Sequence, residues 1–384
     1  LHWHYDSAGR GTRYSNHMRG IAQNITYPDS TGESAFVNNL GLLTSRTNAV
    51  GTTTSYAYDA MGRLARVTHP NEQSLAYHPT TQAFELVNAP EYGIAAGHWR
   101  QTVATGNAIT RRYFDALWRE RLRVSYDAAN AAGTSKFIET RYDADGRKTF
   151  VSYPSRGFGA VDSAIAGSAW SYDALGRELT HTLSSELGAL TTSTAYLTGF
   201  QKRVTNARGF ATTFAFQAFD EPSEDAIAAV WAPEGSTLGI VRDVFGKPLS
   251  ITRSGEGFSA TRAYVYDGFA RLCRTLEPES GATVQAYDAA NNMAWRASGL
   301  ALPSTASCDH GSVPASRQIT FGYDTRNRLT STADGDGSAG IGRSYYADGL
   351  PYQVWSAGST WTYGHNNRRL LTSESLAFNG GTYS

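Results

Sequence analysis

The sequence predicts an all-β protein built from tandem β-hairpins. A six-residue motif, Tyr-Asp-x-x-Gly-Arg, occurs in four intact copies, YDSAGR, YDAMGR, YDADGR and YDALGR, and in several weaker ones. The residues beside the copies are rich in Thr, Tyr and Val, which favour the pleated, half-buried surface of a strand. The chain also has 22 tyrosines against 3 methionines, and methionine is typically a filler of irregular core gaps. These three observations favour hairpins over helices.

Each copy of the motif predicts a turn between two strands. Aspartate suits the first corner of a type I turn, because its carboxylate accepts backbone N–H groups ahead of it. Glycine suits the exit, where the chain takes a left-handed conformation that a β-carbon makes costly. A type I turn followed by such a residue is a common longer hairpin loop. Tyrosine ends the incoming strand and arginine begins the outgoing one, so a tyrosine–arginine contact can form between neighbouring hairpins.

The residues that we expect to build these turns are structural rather than catalytic. They are Tyr5, Asp6, Gly9, Arg10, Tyr58, Asp59, Gly62, Arg63, Tyr142, Asp143, Gly146, Arg147, Tyr172, Asp173, Gly176, Arg177, Tyr266, Asp267, Arg271, Tyr323, Asp324 and Arg328. In YDGFAR and YDTRNR the glycine is replaced by Ala270 and Asn327. We expect those two turns to be strained or built differently, with asparagine the better substitute.

The array is expected to be continuous over residues 1–384, as a fragment of a larger protein with no separate domain boundary. Closely spaced copies recur about every 20 residues, which fits one two-stranded hairpin. In ARLCRTLEP, Leu272 and Leu276 share a face with Arg274, while Cys273 lies on the other face between polar residues. Neither face is wholly apolar, so the pattern favours a sheet with two wet faces over a compact sandwich.

Three segments depart from the hairpin pattern. SEDAIAAVWAP, at residues 223–233, predicts a short helix with a serine N-cap and a proline stop. The turn-rich stretches that begin at Ser298 and Asp334 predict inserted loops. Cys308 lies in the first of these loops; Cys273 and Cys308 are the chain's two cysteines, and their spacing does not show whether they pair.

Composition excludes several functional classes. The formal net charge is zero and 18 % of residues are charged, so no basic field points to nucleic acid. No apolar run approaches the roughly 18 residues of a membrane-spanning helix. The sequence contains no GxSxG, HExxH or P-loop motif, and we assign no catalytic residue.

We also expect no metal and no cofactor. His2 and His4 can share a strand face, but a surface position near a terminus explains them more simply. Cys308-Asp309-His310 lacks further ligands at a recognisable spacing. The DGDG stretch at residues 334–337 lacks the later glutamate of a calcium loop, so it is expected to be a turn.

The repeats resemble the Rhs/YD-repeat family. NAVGTTTSYAYDAMGRLARVTHP, at residues 48–70, resembles a whole unit of that family, with a lead-in glycine, a threonine-rich strand, the turn and an outgoing strand. NARGFATTFAFQAFDEP and VRDVFGKPLSITRSG are similar, with eroded turns. The resemblance covers the chain from Tyr5 to about Leu371.

The resemblance implies a spiralling β-sheet that forms part of a hollow shell. In bacterial polymorphic toxins and insecticidal toxin complexes, such a shell encloses a C-terminal toxic polypeptide of the same or a partner chain, and similar repeats occur in teneurins. It further implies a secreted or surface-exposed bacterial protein that contacts secretion machinery or a neighbouring shell component. The DPxGL-type self-cleavage motif of the bacterial shells is absent from this sequence, so neither self-cleavage nor toxicity is assigned to any residue and the stretch is not expected to be an enzyme.

Two other functions stay open on sequence grounds. One is a cell-surface adhesion or carbohydrate-binding array, since aromatic rings beside acids and arginines suit sugars. The other is an enzyme whose carboxylates are carried on strands and leave no local signature.

Overall fold

A computed structural model describes residues 2–72, 77–218, 223–302, 307–378 and 381–383. Strands dominate these residues, and each strand pair runs antiparallel. The predicted all-β class, built from consecutive hairpins, is therefore confirmed. The chain divides into two compact units: unit 1, formed by Leu1–His78 with Thr261–Ser384, and unit 2, formed by Pro79–Ala260.

Unit 1 begins with a seven-stranded meander in which each strand pairs with the next. Its strands are β1 (His2–Tyr5), β2 (Gly11–Met18), β3 (Ile21–Thr26), β4 (Gly32–Val37), β5 (Leu43–Thr47), β6 (Thr53–Tyr58) and β7 (Leu64–Thr68).

Unit 2 is a second meander of consecutive antiparallel strands. Its strands are β8 (Thr80–Val87), β9 (His98–Thr105), β10 (Ala108–Phe114), β11 (Glu120–Asp127), β12 (Lys136–Tyr142), β13 (Lys148–Ser152), β14 (Gly167–Tyr172), β15 (Glu178–Ser185), β16 (Gly188–Leu197), β17 (Gln201–Thr205), β18 (Ala211–Phe216), β19 (Ile227–Trp231), β20 (Thr237–Arg242) and β21 (Pro248–Gly255). The short helix α1 (Ala131–Thr134) follows a 3-10 turn at Ala128–Asn130, and a second 3-10 turn lies at Pro233–Gly235.

The C-terminal part of unit 1 continues the same plan, with two 3-10 turns at His310–Ser312 and Ala315–Arg317. Its strands are β22 (Phe258–Tyr266), whose first three residues lie in unit 2, β23 (Leu272–Glu277), β24 (Gly281–Tyr287), β25 (Met293–Leu300), β26 (Ile319–Tyr323), β27 (Leu329–Asp334), β28 (Ile341–Tyr345), β29 (Pro351–Ser356), β30 (Ser359–His365), β31 (Leu371–Phe378) and β32 (Gly381–Tyr383).

A β-bulge recurs where a motif turn joins its two strands. In the β22–β23 hairpin, Tyr266 lies opposite Leu272 and Val265 lies opposite Arg274, so Cys273 is the extra residue. The β6–β7, β12–β13, β14–β15 and β26–β27 hairpins have the same shift. Because a bulge bends the strand and re-aims a side chain, Cys273 and its neighbour Arg274 both reach the same overlying loop.

Two buried clusters supply most of the hydrophobic core that is described. In unit 1, Val313 from an overlying loop joins the sheet residues Ala282, Val284, Ala297 and Leu300. We call that loop, residues 307–318, the disulfide cap.

The second cluster lies in unit 2, where Tyr113, Leu122, Val124 and Phe137 of β10–β12 are buried. Two loops pack on it, residues 91–97 and 153–166, which together we call the aromatic cap. Elsewhere the sheet has many half-exposed side chains on both faces, in keeping with the mixed polarity of the strands.

The predicted helix at residues 223–233 is wrong. Residues 219–222 lie outside the described part, but Ile227–Trp231 forms β19, which pairs with β18 on one side and β20 on the other. A five-residue apolar run is too short for its periodicity to separate helix from strand, and hydrogen-bonding partners on both sides decide in favour of the strand.

The two predicted insertions are loops, with adjusted bounds. Residues 298–300 still belong to β25, and Asp334 is the last residue of β27. The first insertion carries the disulfide cap, and its residues 303–306 lie outside the described part.

Candidate functional site: the aspartate turns

In the motif turn, N–H groups of the same loop donate hydrogen bonds to the aspartate carboxylate. The N–H of Gly62 donates to the Asp59 carbonyl (3.0 Å), and the N–H of Asp59 donates to the Arg63 carbonyl (2.9 Å). Asp59 Oδ1 accepts the N–H groups of Met61 and Arg63, both at 2.9 Å. Its Oδ2 accepts the Nε–H of Arg63 at 2.7 Å. The aspartate is therefore committed to shaping the turn.

The same set of contacts recurs in both units. Five other aspartates accept the N–H groups two and four residues ahead and the Nε–H of the arginine: Asp6, Asp115, Asp173, Asp267 and Asp324. Asp143 accepts the N–H and the Nε–H of Arg147 in the same way.

These hydrogen bonds stabilise the ionised aspartates. The N–H and guanidinium of Arg63 hold the pKa of the Asp59 carboxyl below its usual value. In Asp173, partial burial alone would raise the pKa, but the backbone N–H groups of Arg177 and Leu175 and the Arg177 guanidinium outweigh it, and the pKa is lowered. The turn carboxylates are thus acceptors, and they are poor candidates for a general acid.

The exit position takes a left-handed backbone with or without glycine. Gly62 and Gly176 have φ of 78° and 81°. Ala270 and Asn327 have φ of 63° and 62°, so these turns keep the glycine-type geometry and are not built differently. A residue with a β-carbon pays about 1–2 kcal/mol for this conformation. The turn at Ala270 is therefore strained, as one of the two expected outcomes predicted, and is not built differently.

The arginine of one turn also contacts the next turn along the sheet. The Arg147 guanidinium lies 5.1 Å from the ring centroid of Tyr172, and its Nη1 donates to the Asp173 carbonyl at 3.3 Å. The Tyr172 hydroxyl donates back to the Lys148 carbonyl at 2.7 Å. These two turns are tied together by a stacked ring and two hydrogen bonds.

This contact between successive turns forms a ladder, which we call the Arg–Tyr ladder. The stacked pairs are Arg119–Tyr142, Arg147–Tyr172, Arg177–Tyr196, Arg271–Tyr287 and Arg328–Tyr345. The tyrosine hydroxyls of all five donate to a carbonyl of the preceding hairpin. The expected tyrosine–arginine contact between hairpins is therefore present in both units.

Several turns of the same design were not among the expected site residues. Asn38, Asn48, Asn206 and Asn366 each accept N–H groups two and four residues ahead through Oδ1. Asparagine provides the same acceptor oxygen without the charge. The spacing Asn-x-x-Gly in NNLG, NAVG and NARG is the signal that would have identified three of them.

Within unit 1, the turns of the first strands pack against turns more than 280 residues later in the chain. Arg10 Nη1 donates to the Asp324 carbonyl at 3.0 Å, and Arg10 also binds the Asn327 side chain. Asn327 Nδ2 donates to Asp6 at 3.3 Å. Two motif turns, residues 6–10 and 324–328, therefore lock together directly.

The same edge-to-edge contact continues along unit 1. The Arg326 guanidinium lies 4.1 Å from the ring centroid of Tyr27, and Arg328 pairs with Asp29 at 3.4 Å. Arg368 lies over the ring of Tyr77 at 4.8 Å. We call this row of turn-to-turn contacts the seam. It joins one edge of the first seven strands to one edge of the C-terminal strands.

The histidine, cysteine and calcium-loop candidates do not form a metal site. His2 and His4 are exposed on β1. Cys308 forms a disulfide with Cys273, Asp309 pairs with Arg274, and His310 Nε2 contacts the Gln285 carbonyl at 2.9 Å. Across the residues with assigned positions, no group of three His, Cys, Asp or Glu side chains is placed to hold a metal ion.

Clefts in the sheet differ in polarity. One in unit 2, of about 640 Å³, is lined by Val230, Leu238 and Phe258, among others, and includes one carboxylate, that of Glu256. Paired carboxylates, which the enzyme alternative requires, are not found in this cleft. Among the described helices, none has the length and apolar character to cross a membrane.

Comparison with known proteins identifies the repeat. Residues 38–73 match the RHS Repeat family, a span that includes the Asn38, Asn48 and Asp59 turns. None of the curated proteins compared with the chain matches it.

Solved structures share the fold at low sequence identity. A TcdB2-TccC3-Cdc42 structure aligns with a TM-score of 0.59 at 11 % identity. The Tc holotoxin pore of Photorhabdus luminescens aligns with 0.58 at 12 %, and TcdB2-TccC3 without its hypervariable C-terminal region with 0.56 at 13 %. In each case the alignment covers 97 % of this chain and 23 % of the other, so this chain spans about a quarter of their length. Residues 38–73 thus match an RHS repeat, the same turn recurs in both units, and the chain as a whole shares its fold with these Tc toxin structures.

Proposed function

We propose that this chain is a structural segment of an Rhs-type toxin shell, which encloses and delivers a C-terminal toxic polypeptide of the same or a partner chain. The observation that carries this proposal is the pairing of the Arg–Tyr ladder with the seam. The ladder holds hairpins side by side, and the seam joins the edges of sequence-distant hairpins. In unit 1 the two sets of contacts tie neighbouring and sequence-distant hairpins into one wall.

A container has to be thin, continuous and closed at its edges, and the contacts in unit 1 fit this need. Unpaired strand edges are sites of unwanted association, and a container also has to join the turn edges of its wall. Here the turn edge at residues 6–10 is covered by the turn at residues 324–328. The aspartates and arginines of the motif serve the wall, which agrees with a protein that is not an enzyme in this stretch.

The comparisons support the proposal at the level of fold. The related structures are TcdB2-TccC3 assemblies, and one is described as lacking a hypervariable C-terminal region. Spiral winding around a hollow interior, an enclosed partner and a contact with secretion machinery are proposed for this chain by analogy with the family. No cofactor, nucleic acid or membrane span is part of the proposal.

The proposed location is outside the bacterial cytoplasm, secreted or at the surface. Cys273 and Cys308 form a disulfide, and disulfides persist mainly in oxidising compartments. A protein that is exported and then meets a host is expected to use such a bond.

The test uses the natural polypeptide that carries this chain, with any partner subunit, and measures protease cleavage of its toxic segment. Arg10→Ala combined with Arg326→Ala removes two seam contacts and should speed that cleavage about tenfold, because opening of the seam admits protease. Lys136→Ala, at an exposed position in unit 2, is the control and should leave the rate unchanged. Equal cleavage of all three proteins, with the toxic segment always accessible, would reject enclosure.

The carbohydrate-binding alternative makes a different prediction. It requires measurable binding on a glycan array, lost when ring-bearing turn tips such as Phe245 and Phe269, both 81 % exposed, are changed to serine. Specific glycan binding with no protected segment would favour adhesion over the shell.

A further inference from the structure

We propose that the disulfide cap is a redox-released strap: when a dithiol reductant breaks the Cys273–Cys308 bond, residues 307–318 leave the sheet face while the surrounding sheet stays folded. The inference concerns the cap alone and does not depend on the proposed cargo.

The disulfide is the covalent anchor of the cap. It joins the bulge residue of β23 to a loop 35 residues later, with the two Cα atoms 5.3 Å apart. The chain has 2 cysteines, so reduction leaves the cap without another thiol to pair with. The residues that follow the two cysteines also connect the sheet to the cap, because Arg274, with 1 % of its side chain exposed, forms an ion pair with Asp309.

Outside the disulfide and the neighbouring ion pair, the described part of the cap is held mainly by hydrogen bonds, among them the N–H of Gly335 to the Gln318 carbonyl at 2.8 Å. His310 Nε2 contacts the Gln285 carbonyl at 2.9 Å and its ring meets the edge of Trp295. Arg317 Nη2 donates to the Ser298 carbonyl at 3.2 Å. Among residues 307–318, Val313 is the one side chain in the buried cluster. A loop that buries a single apolar side chain relies on its anchor, because ordering each residue carries an entropic cost.

The two sulfur atoms sit in different environments, which sets the order of the reaction. Cys273 is fully buried, whereas Cys308 is half-buried in the loop. A reductant thiolate attacks the Cys308 sulfur, the S–S bond breaks, and Cys273 leaves as a thiolate that takes up a proton. The second thiol of the reductant then attacks the mixed disulfide and releases Cys308. The protein gains two thiols and the reductant becomes a disulfide.

The aromatic cap of unit 2 provides an internal control. It covers a cluster of similar kind with the rings of Tyr92 and Phe158 and with the Arg121–Asp162 ion pair, and it contains no cysteine. A reductant therefore has nothing to break there.

The experiment is hydrogen–deuterium exchange of the full chain with and without dithiothreitol, with thiol alkylation to measure reduction. We expect exchange in residues 307–318 to become at least about tenfold faster on reduction, while residues 91–97, 153–166 and the flanking strands are unchanged. The variant C273A/C308A should exchange fast in the cap without reductant and should not respond to it.

Three results would overturn the proposal. The first is unchanged cap exchange when alkylation shows both thiols free, because noncovalent contacts would then suffice. The second is loss of protection throughout unit 1, which would make the disulfide a support of the whole unit. The third is a disulfide that millimolar dithiothreitol does not reduce while the protein is folded. Failure of C273A/C308A to fold would also mean that the disulfide supports the whole unit, and would overturn the proposal. The wild-type measurement with reductant does not depend on that variant.

Discussion

The two units share one turn and differ in the caps that cover their buried clusters. The Asp59 turn in unit 1 and the Asp173 turn in unit 2 have the same hydrogen bonds to within about 0.1 Å. The caps have no such likeness. Unit 1 uses a loop anchored by a disulfide and one aliphatic side chain, and unit 2 uses two loops that interlock through rings and ion pairs.

The aromatic cap is cohesive in itself. The Tyr92 ring makes edge contacts with Tyr113, Phe137 and Phe158 at centroid distances of 5.5–6.2 Å. Below it, the fully buried Glu139 pairs with Arg141 at 2.7 Å and accepts the N–H of Asp162 at 2.6 Å. The cap is thus bound to the sheet by both apolar and charged contacts.

The comparison separates what the repeat encodes from what it does not. Turns and ladder depend on residues a few positions apart or on the adjacent hairpin, so every copy of the motif carries them. Caps depend on loops inserted between hairpins, and each cap is attached to the sheet by different contacts.

The largest expected effects are at the buried clusters and should differ between the units. Leu122, with no exposed surface in unit 2, should lose about 3 kcal/mol of unfolding free energy on Leu122→Ala, and Val284→Ala in unit 1 about 2 kcal/mol. Urea unfolding, with exchange rates to assign each unit, measures both. Losses below about 1 kcal/mol at both sites would show that the clusters contribute little beyond the ladder.

The buried ion pair of the aromatic cap comes next. Glu139→Ala leaves Arg141 without its partner and the Asp162 N–H without an acceptor, so we expect a loss of about 2–3 kcal/mol. The control is Asp145→Ala. The Asp145 carboxylate is 71 % exposed and pairs with Arg147, so its removal should lower the free energy of unfolding by less than about 0.5 kcal/mol. Similar costs in the two variants would argue against a distinct role for the charged contacts of this cap.

Changes at the turn exits should affect both units equally. Gly62→Val in unit 1 and Gly176→Val in unit 2 force a β-branched residue into the left-handed region, and each should lose more than about 1 kcal/mol. Ala60→Ser, in the same turn as Gly62, is the matched control. Thermal melts that show no loss for either valine variant would contradict the turn assignment.

A gain is expected where the sequence lacks the glycine. Ala270→Gly relieves the left-handed strain of an alanine, offset in part by the greater freedom of glycine in the unfolded chain, and should stabilise unit 1 by about 0.5 kcal/mol. Asn327→Gly should not, because it also removes the contacts of Asn327 with Arg10 and Asp6. Stabilisation by both variants would mean that the seam contacts of Asn327 are dispensable.

The smallest expected effect is the pH dependence of stability that the turn carboxylates cause. The pKa values of Asp59 and Asp173 are lowered in the folded state from the usual 3.8. The stability they provide is therefore present above about pH 4 and is lost as the pH falls through the lowered folded values. Urea unfolding between pH 2 and pH 7 should show this loss in both units together. Asp59→Asn should flatten the dependence in unit 1, and an unchanged acid profile in that variant would reject this source.

The turns were the predictable part of this molecule, for a physical reason. Asp59, Gly62 and Arg63 interact within a single loop, so residue type and spacing are sufficient. The ladder was anticipated as a contact between hairpins because Tyr58 and Arg63 flank the turn, although the sequence does not say which hairpin supplies the partner. The Asn38 turn was not among the predicted turns because asparagine lacks the charge of the motif's aspartate, although it offers the same acceptor oxygen.

The long-range features could not be derived from local pattern. Nothing near Arg326 indicates that its guanidinium will lie on Tyr27, and nothing near Cys273 indicates Cys308. Buried Glu139 resembles any strand glutamate in the sequence, because its burial comes from a loop some twenty residues away. The error at Ile227–Trp231 has the same origin: pairing with strands on both sides outweighed a local helical pattern.

The alternation of turns between the two edges of the sheet restricts how such a protein can change length. Adding a single strand would send every later turn to the opposite rim, so that arginines such as Arg147 would no longer meet the next tyrosine. Adding two strands restores the alignment. Gene duplication or deletion in this protein is therefore expected to proceed by whole hairpins.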